Sequence, residues 1–173
     1  MVSANKLKID PYQNNADLYD TWFEENRPVY EAELRAVTLL IPEKPNGLEI
    51  GVGTGRFAAP LEICTGIEPA ENMAKIARKR NIDVIQGAAE DLPFKDASFD
   101  LVLMVTVISF VNDIDKTFME SFRVLSGGGG IVIGMIDRGS PLGQKYLTHK
   151  QDSLFFKQAS FYSVDEIREI MKR

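Results

Sequence analysis

Residues 47–57 read GLEIGVGTGRF, and the reading of the whole chain starts there. Leu48, Glu49 and Ile50 make a short apolar strand with an acid near its tip. Gly51, Gly53 and Gly55 follow at alternate positions, and Arg56, Phe57, Ala58 and Ala59 lead away as a short helix. Glycines tolerate positive φ and carry no Cβ, so a ligand can lie directly against the backbone amides of such a turn. The positive end of a helix would add to that attraction. At the carboxyl end of a first strand, this is where open α/β sheets bind nucleotides. A dinucleotide fingerprint of the form G-x-G-x-x-G needs its third glycine at position 56, and that residue is Arg56.

On either side the pattern alternates. Before the loop, the segment from Asn15 carries Leu18, Tyr19, Trp22 and Phe23 at helical spacing, with Asn15 placed to cap it. Pro28 suits the first turn of a second helix with Tyr30, Leu34, Val37 and Ile41 on its buried face. Residues 1–14 are polar and are read as loosely held. After the loop, Ile63 to Glu68 reads as a buried second strand ending in an acid, and Ala70 to Arg80 as a helix. Asp83 to Gln86 gives a third strand, and the apolar run Phe99 to Val107 a fourth that must be covered on both faces. Asp113 or Asn112 opens a helix with Ile114, Phe118, Phe122 and Leu125 as its stripe. Four glycines end that helix, and Ile131 to Ile136 is a fifth strand. Ser163 and Glu166 stand in capping-box register at the start of a last helix. This rhythm predicts an α/β fold of parallel βαβ units in one three-layer domain.

Composition narrows the function classes. The 173 residues, 45% hydrophobic and 26% charged, are those of an ordinary globular domain. A net charge of −5 argues against a nucleic-acid surface. The one cysteine, Cys64, excludes an intrachain disulfide and a cysteine-based zinc cluster. It is read as inert core in a buried strand. No apolar run reaches the length of a membrane span, and the start lacks a signal-peptide core, so a reducing cytoplasm is the expected compartment. His149, the sole histidine, is read as surface. Asp91, Asp96 and Asp100 are read as turn and strand-end residues, so no metal is expected. The run Lys75, Arg78, Lys79 and Arg80 is read as a solvated helix end.

Glu68, at the end of the second strand, stands where an acid takes the ribose hydroxyls of a bound nucleoside. GLEIGVGTGRF, then GIEPAENM, then GAAEDLPFKDASFDLVLMVTVISFV, then FRVLSGGGGIVIG closely resemble, in order and spacing, the small-molecule class I S-adenosylmethionine-dependent methyltransferases. The resemblance is to the methyltransferase domain family 11 type and covers about residues 15–170. It implies a three-layer Rossmann-like fold with a mostly parallel sheet, S-adenosyl-L-methionine as cofactor and a small-molecule methyl acceptor. It further implies that Glu49 and the backbone of Gly51 and Gly53, with Gly55 and Arg56 completing the loop, hold the methionine part. Glu68 would hold the ribose, with Pro69 and Met73 around the adenosine. Ala88, Ala89 and Glu90 would border the adenine, Ala89 through its amide. Thr106 would lie beside the sulfonium, and Tyr19, Asp20, Trp22 and Phe23 would form a lid.

The resemblance divides the single domain, 1–173, into an N-terminal helical lid segment (1–46), a cofactor-binding core (47–137) and an acceptor-side loop with the last helix (138–173). Three departures stand out. Ala88 replaces a frequent aspartate, removing one hydrogen bond worth about 0.5–1.5 kcal/mol. Ser126 and four glycines replace the usual basic-Pro-Gly-Gly turn. Family members also continue into two more strands, so the C-terminal strands are expected to be missing and the fifth strand to form an apolar edge. Three outcomes follow: a longer natural chain, a fold-back of Ser140 to Phe161 over that edge, or a dimer through it. The rival functions are a nicotinamide-dependent oxidoreductase, disfavoured by Arg56, and a non-catalytic S-adenosylmethionine-binding module.

Overall fold

The computed structural model describes residues 4–172, apart from the side chains of Ala4, Asn5 and Leu7. Expectations for residues 1–3 and for Arg173 lie outside the described residues. Three helices come first: α1 (Ala4–Asn14), α2 (Ala16–Glu25) and α3 (Arg27–Thr38). Then come β1 (Gly47–Ile50), β2 (Thr65–Ile67), α4 (Glu71–Arg78), β3 (Asp83–Ile85), β4 (Phe99–Val105), α5 (Ile114–Val124) and β5 (Leu125–Gly134). Helices α6 (Pro141–His149) and α7 (Val164–Ile170) follow. The strands form one sheet in the order β3-β2-β1-β4-β5, with every neighbouring pair parallel. The chain steps outward from β1 to β3 and then returns to β1's other side. That reversal opens a crevice at the carboxyl ends of β1 and β4.

Alternation along the strands builds the three layers. Leu48, Ile50, Val102 and Met104 point to a core closed by Phe118 and Val124 of α5 and Ile167 of α7. Leu101 and Leu103 point the other way, to a core closed by Val37 of α3, Ala74 and Ala77 of α4, and Ala58 and Leu61. Each of the buried Leu, Ile, Val, Met and Phe side chains among these contributes about 1.5–3 kcal/mol. The capping box of Ser163 and Glu166 is present at α7, and Asp113 caps α5 through Lys116 N–H.

Several expectations are corrected. Residues 4–14 are helical, because Ile9 and Tyr12 pack with Ala16, Ala70 and Met73. Asn15 stands at the N-cap of α2 as expected, but its side chain makes no capping hydrogen bond; its Nδ2 donates to Pro11 O at 2.8 Å. Residues 56–62 are turns, not a regular helix. Pro60 has no N–H to donate there, and Glu62 reverses the chain at φ 57°. Cys64 is exposed, since the strand starts only at Thr65. Phe122 is half-exposed; the buried stripe of α5 is Thr117, Phe118, Ser121 and Val124. The glycines belong to β5, where Leu125 pairs with Phe99 and Gly130 with Leu101, so residues 126–129 bulge opposite Asp100. Among the described residues β5 pairs only with β4. The stretch from Ser140 to Phe161 packs instead beside the ends of the strands, where Ser160 N–H donates to Ser109 O at 2.7 Å.

Candidate functional site

At the end of β1 the backbone passes through Gly51, Gly53 and Gly55 with φ of 66°, 56° and 82°. A Cβ on Gly51 would lie 2.4 Å from Val107 Cγ2, and one on Gly55 2.5 Å from Ile82 Cδ1, so close packing requires both glycines. A Cβ on Gly53 would meet nothing nearer than Met73 Cε at 3.5 Å and Tyr19 Cε1 at 3.8 Å. Those are ordinary contacts, so no close packing requires a glycine at this position. Gly53 N–H donates to Glu68 Oε2 at 3.0 Å, and Ala70 N–H to Oε1 at 2.9 Å. Glu68 therefore ties the loop to the end of β2. Only 6% exposed, its carboxyl is pushed up to about 7 by burial, against the two N–H groups that hold it down.

Above this loop lies a cavity of about 560 Å³, within the range of small-molecule sites. Tyr19, Gly51, Gly53, Glu68, Pro69, Met73, Ala88, Ala89, Glu90 and Thr106 all line it. Thr106 sits at φ 60°; its N–H donates to Gly134 O and its hydroxyl to Val105 O. Glu90 Oε1 accepts from Asn112 N–H at 2.6 Å and Asp113 N–H at 3.3 Å.

Glu49, Gly55 and Arg56 do not line this cavity. Glu49 lies between Leu48 and Ile50, so strand alternation turns it to the opposite face. It is 2% exposed, burial pushes its carboxyl well above the usual range, and Oε2 has no hydrogen-bond partner. With Thr54 it borders a cavity of about 20 Å³. That space shares Tyr19, Phe23, Gly51, Phe57 and Val105 with the large one. Gly55 packs on Ala77 and Ile82.

Arg56 turns to α2. It binds both carboxylate oxygens of Asp20, at 2.8 and 2.7 Å, and also pairs with Glu24. Arg80, read from sequence as solvated, donates to Asp20 Oδ2 at 2.9 Å and to Thr54 O at 2.7 Å. Burial would raise the Asp20 carboxyl, but the hydrogen bonds from Arg56 and Arg80 hold it down at about 2.

Residues the sequence reading missed also line the large cavity: Lys8, Ile9 and Tyr12 from α1, Glu33 from α3, Tyr146 from α6, and Phe155 and Phe156. Ile9, Tyr12, Ala16 and Tyr19 recur at helical intervals across Asn15, a signal that could have found α1. Glu33 had none, being a charged residue on the polar side of its helix pattern. The rings form a connected set: Tyr12 lies 5.6 Å from Tyr19, 5.3 Å from Phe110 and 5.1 Å from Phe155.

The residues present fit S-adenosylmethionine. Gly53 leaves room against its backbone, Glu68 presents a carboxylate to hydroxyl donors, and the orphaned Glu49 Oε2 lies beneath the same loop. Residues 48–133 match the methyltransferase domain family. A crystal structure from Thermotoga maritima, described as a SAM-dependent methyltransferase and possible histamine N-methyltransferase, superposes with a TM-score of 0.91. It is 47% identical and covers 94% of this chain and 78% of its own. An uncharacterized protein of Methanocaldococcus jannaschii is 49% identical over 95% of this chain and 80% of its own length. A malonyl-[acyl-carrier protein] O-methyltransferase of Geobacter sulfurreducens is 26% identical over 100% of this chain and 70% of its own. With the glycine loop, the strand order and these likenesses in agreement, the chain belongs to the S-adenosylmethionine-dependent methyltransferases of the methyltransferase domain family.

Proposed function

We propose that this methyltransferase acts on a small molecule held in the half of the cavity remote from Glu68. The observation that carries the reading is continuity. One concave space runs from Gly53 and Glu68 to a chamber lined by Trp22, Leu142, Tyr146 and Phe156. A concave, mostly apolar chamber with few polar groups suits a small molecule better than a folded macromolecule. The acceptors in the relatives' descriptions differ, so they support methyl transfer more than any one acceptor.

Bound S-adenosylmethionine supplies a methyl group on a sulfonium together with its own leaving group. The chain's task is therefore to hold and align. In this reading Gly51 and Gly53 present backbone to the methionine part, and Glu68 accepts from the ribose hydroxyls. Pro69 and Met73 pack on the adenosine, and Ala88 and Ala89 border the adenine. Glu90 contributes its stem, its carboxylate being engaged by Asn112 and Asp113. Thr106 serves by position, since its N–H and hydroxyl are both satisfied. Tyr12, Tyr19 and Phe155 exclude water. The division into a lid segment (1–46), a core (47–137) and an acceptor side (138–173) is part of the same proposal.

The test is incubation with methyl-labelled S-adenosylmethionine and separate pools of metabolites, RNA and protein from a cell extract. Label is expected in the metabolite fraction. Label confined to RNA or protein would contradict the small-molecule reading.

A further inference from the structure

The charged side chains around the large cavity have hydrogen-bond partners within the protein, with one exception among the described residues. Glu68 accepts from Gly53 and Ala70, and Glu90 from Asn112 and Asp113. The lining cation, Lys8, donates its Nζ to Val111 O at 2.7 Å. Glu33 alone among these charged groups has no hydrogen bond or ion pair within the described residues. It stands on α3 one turn after Val29, and the two share the face that borders the chamber. Glu33 is exposed toward the open rim, yet protein on its other side desolvates the carboxyl enough to raise it from its ordinary value. Its charge reaches the Tyr146 hydroxyl, which is raised by burial first and by Glu33 second, but no hydrogen bond joins them. A carboxylate and a phenol thus face the same space without meeting.

The surrounding wall is apolar and aromatic. Phe156 lies 4.8 Å from Tyr146 and 5.7 Å from Phe110, ring centroid to centroid. Ring faces attract cations, and an unpaired carboxylate beside them gains most from a positive partner. An acceptor bearing its own carboxylate or phosphate would meet repulsion from Glu33, and the lining cation among the described residues, Lys8, is held at Val111 O.

We infer that the acceptor is a ring-bearing amine whose ammonium pairs with Glu33 while its apolar part lies against Tyr146 and Phe156. Glu33 is then a specificity-determining residue, distinct from the groups assigned to the cofactor. The inference rests on the small-molecule reading above and narrows it to one chemical class.

The probes are tryptamine, its neutral counterpart indole-3-propanol and its acidic counterpart indole-3-propionate, titrated calorimetrically into the protein with and without S-adenosylhomocysteine. Tryptamine is expected to bind at least tenfold more tightly than either counterpart. Glu33→Gln, which keeps size and polarity, should erase that preference and leave S-adenosylhomocysteine affinity unchanged. Failure of tryptamine to bind, equal binding of indole-3-propionate, or a preference that survives Glu33→Gln would overturn the inference. Loss of S-adenosylhomocysteine binding in the unmodified protein would instead strike at the assigned cofactor site, since the titrations without it read the amine preference alone.

Discussion

Gly51 and Gly53 share a backbone conformation but should answer differently to the same substitution. Gly51→Ala drives a methyl to within 2.4 Å of Val107 Cγ2, and overpacking of that kind costs about 1–3 kcal/mol beyond the left-handed strain. Gly53→Ala meets only ordinary contacts, so its fold cost is the strain alone, about 1–2 kcal/mol. Its methyl enters the cavity, and S-adenosylhomocysteine affinity should fall steeply. Urea titration and calorimetry on both variants separate the effects. Glu68 makes a pH prediction. A carboxyl raised to about 7 when folded, from an ordinary 4.5, favours the fold at low pH; that contribution is lost as pH rises from about 4.5 through 7. Glu49 and Glu33 are shifted the same way, whereas Asp20, depressed to about 2, loses its contribution only in strong acid. Without cofactor, Glu68→Gln should therefore show a weaker fall in thermal midpoint between pH 5 and 8 than the unmodified protein. An unchanged slope would place the titration elsewhere. The glycines and Glu68 were legible in sequence because their spacing is local. Arg56 was not, because its partners Asp20 and Glu24 lie in another element and nothing in the loop announces them.

The element on which the site depends most is α2, held against the glycine loop by a network of charges. Asp20 receives both arms of Arg56 and one nitrogen of Arg80, while Tyr30 of α3 donates to Arg56 O. The aromatic face of α2 was legible from its spacing. Its anchoring was not, for the same reason of distance along the chain. Asp20→Asn should cost about 1.5–3 kcal/mol, the range for hydrogen bonds to charged groups. Amide exchange should quicken in α2 first, as mass spectrometry can read; protection unchanged there would mean that ring packing alone holds the helix. Removing residues 1–27 takes away α1 and α2, and with them Tyr12, Tyr19 and Trp22 from the cavity wall. S-adenosylhomocysteine should then dissociate faster, as a stopped-flow displacement would record. An unchanged rate would make these helices mere packing. The turn at residues 56–62 carries a related lesson: the apolar run looked helical, but Pro60 and the reversal at Glu62 end the ladder before it becomes regular.

At the scale of the molecule, the five parallel strands were readable because each is a short apolar run bounded by loop residues. Their order was not read from the sequence, because short apolar runs do not say which strands are neighbours. β5 was expected at the edge and lies there, with β4 as its one partner among the described residues. The segment expected as a cover for that edge instead closes the cavity, since Phe155 and Phe156 gain ring contacts there that the edge of β5 would not give. Most of the residues expected from sequence to hold the cofactor line the cavity, because they follow strand ends, where topology fixes them. It did not place Glu33 or Tyr146, whose roles depend on how two distant helices approach one another. The central claim is that one site, built on Gly53 and Glu68, holds the cofactor. Calorimetric titration of S-adenosylhomocysteine into the unmodified protein and into Glu68→Ala tests it most directly, with NAD and NADP as controls. Micromolar binding is expected for the unmodified protein, about ten- to 150-fold weaker binding for the variant, and none for the nicotinamide cofactors. Equal affinity of S-adenosylhomocysteine for both proteins, or tighter binding of NAD, would contradict the account.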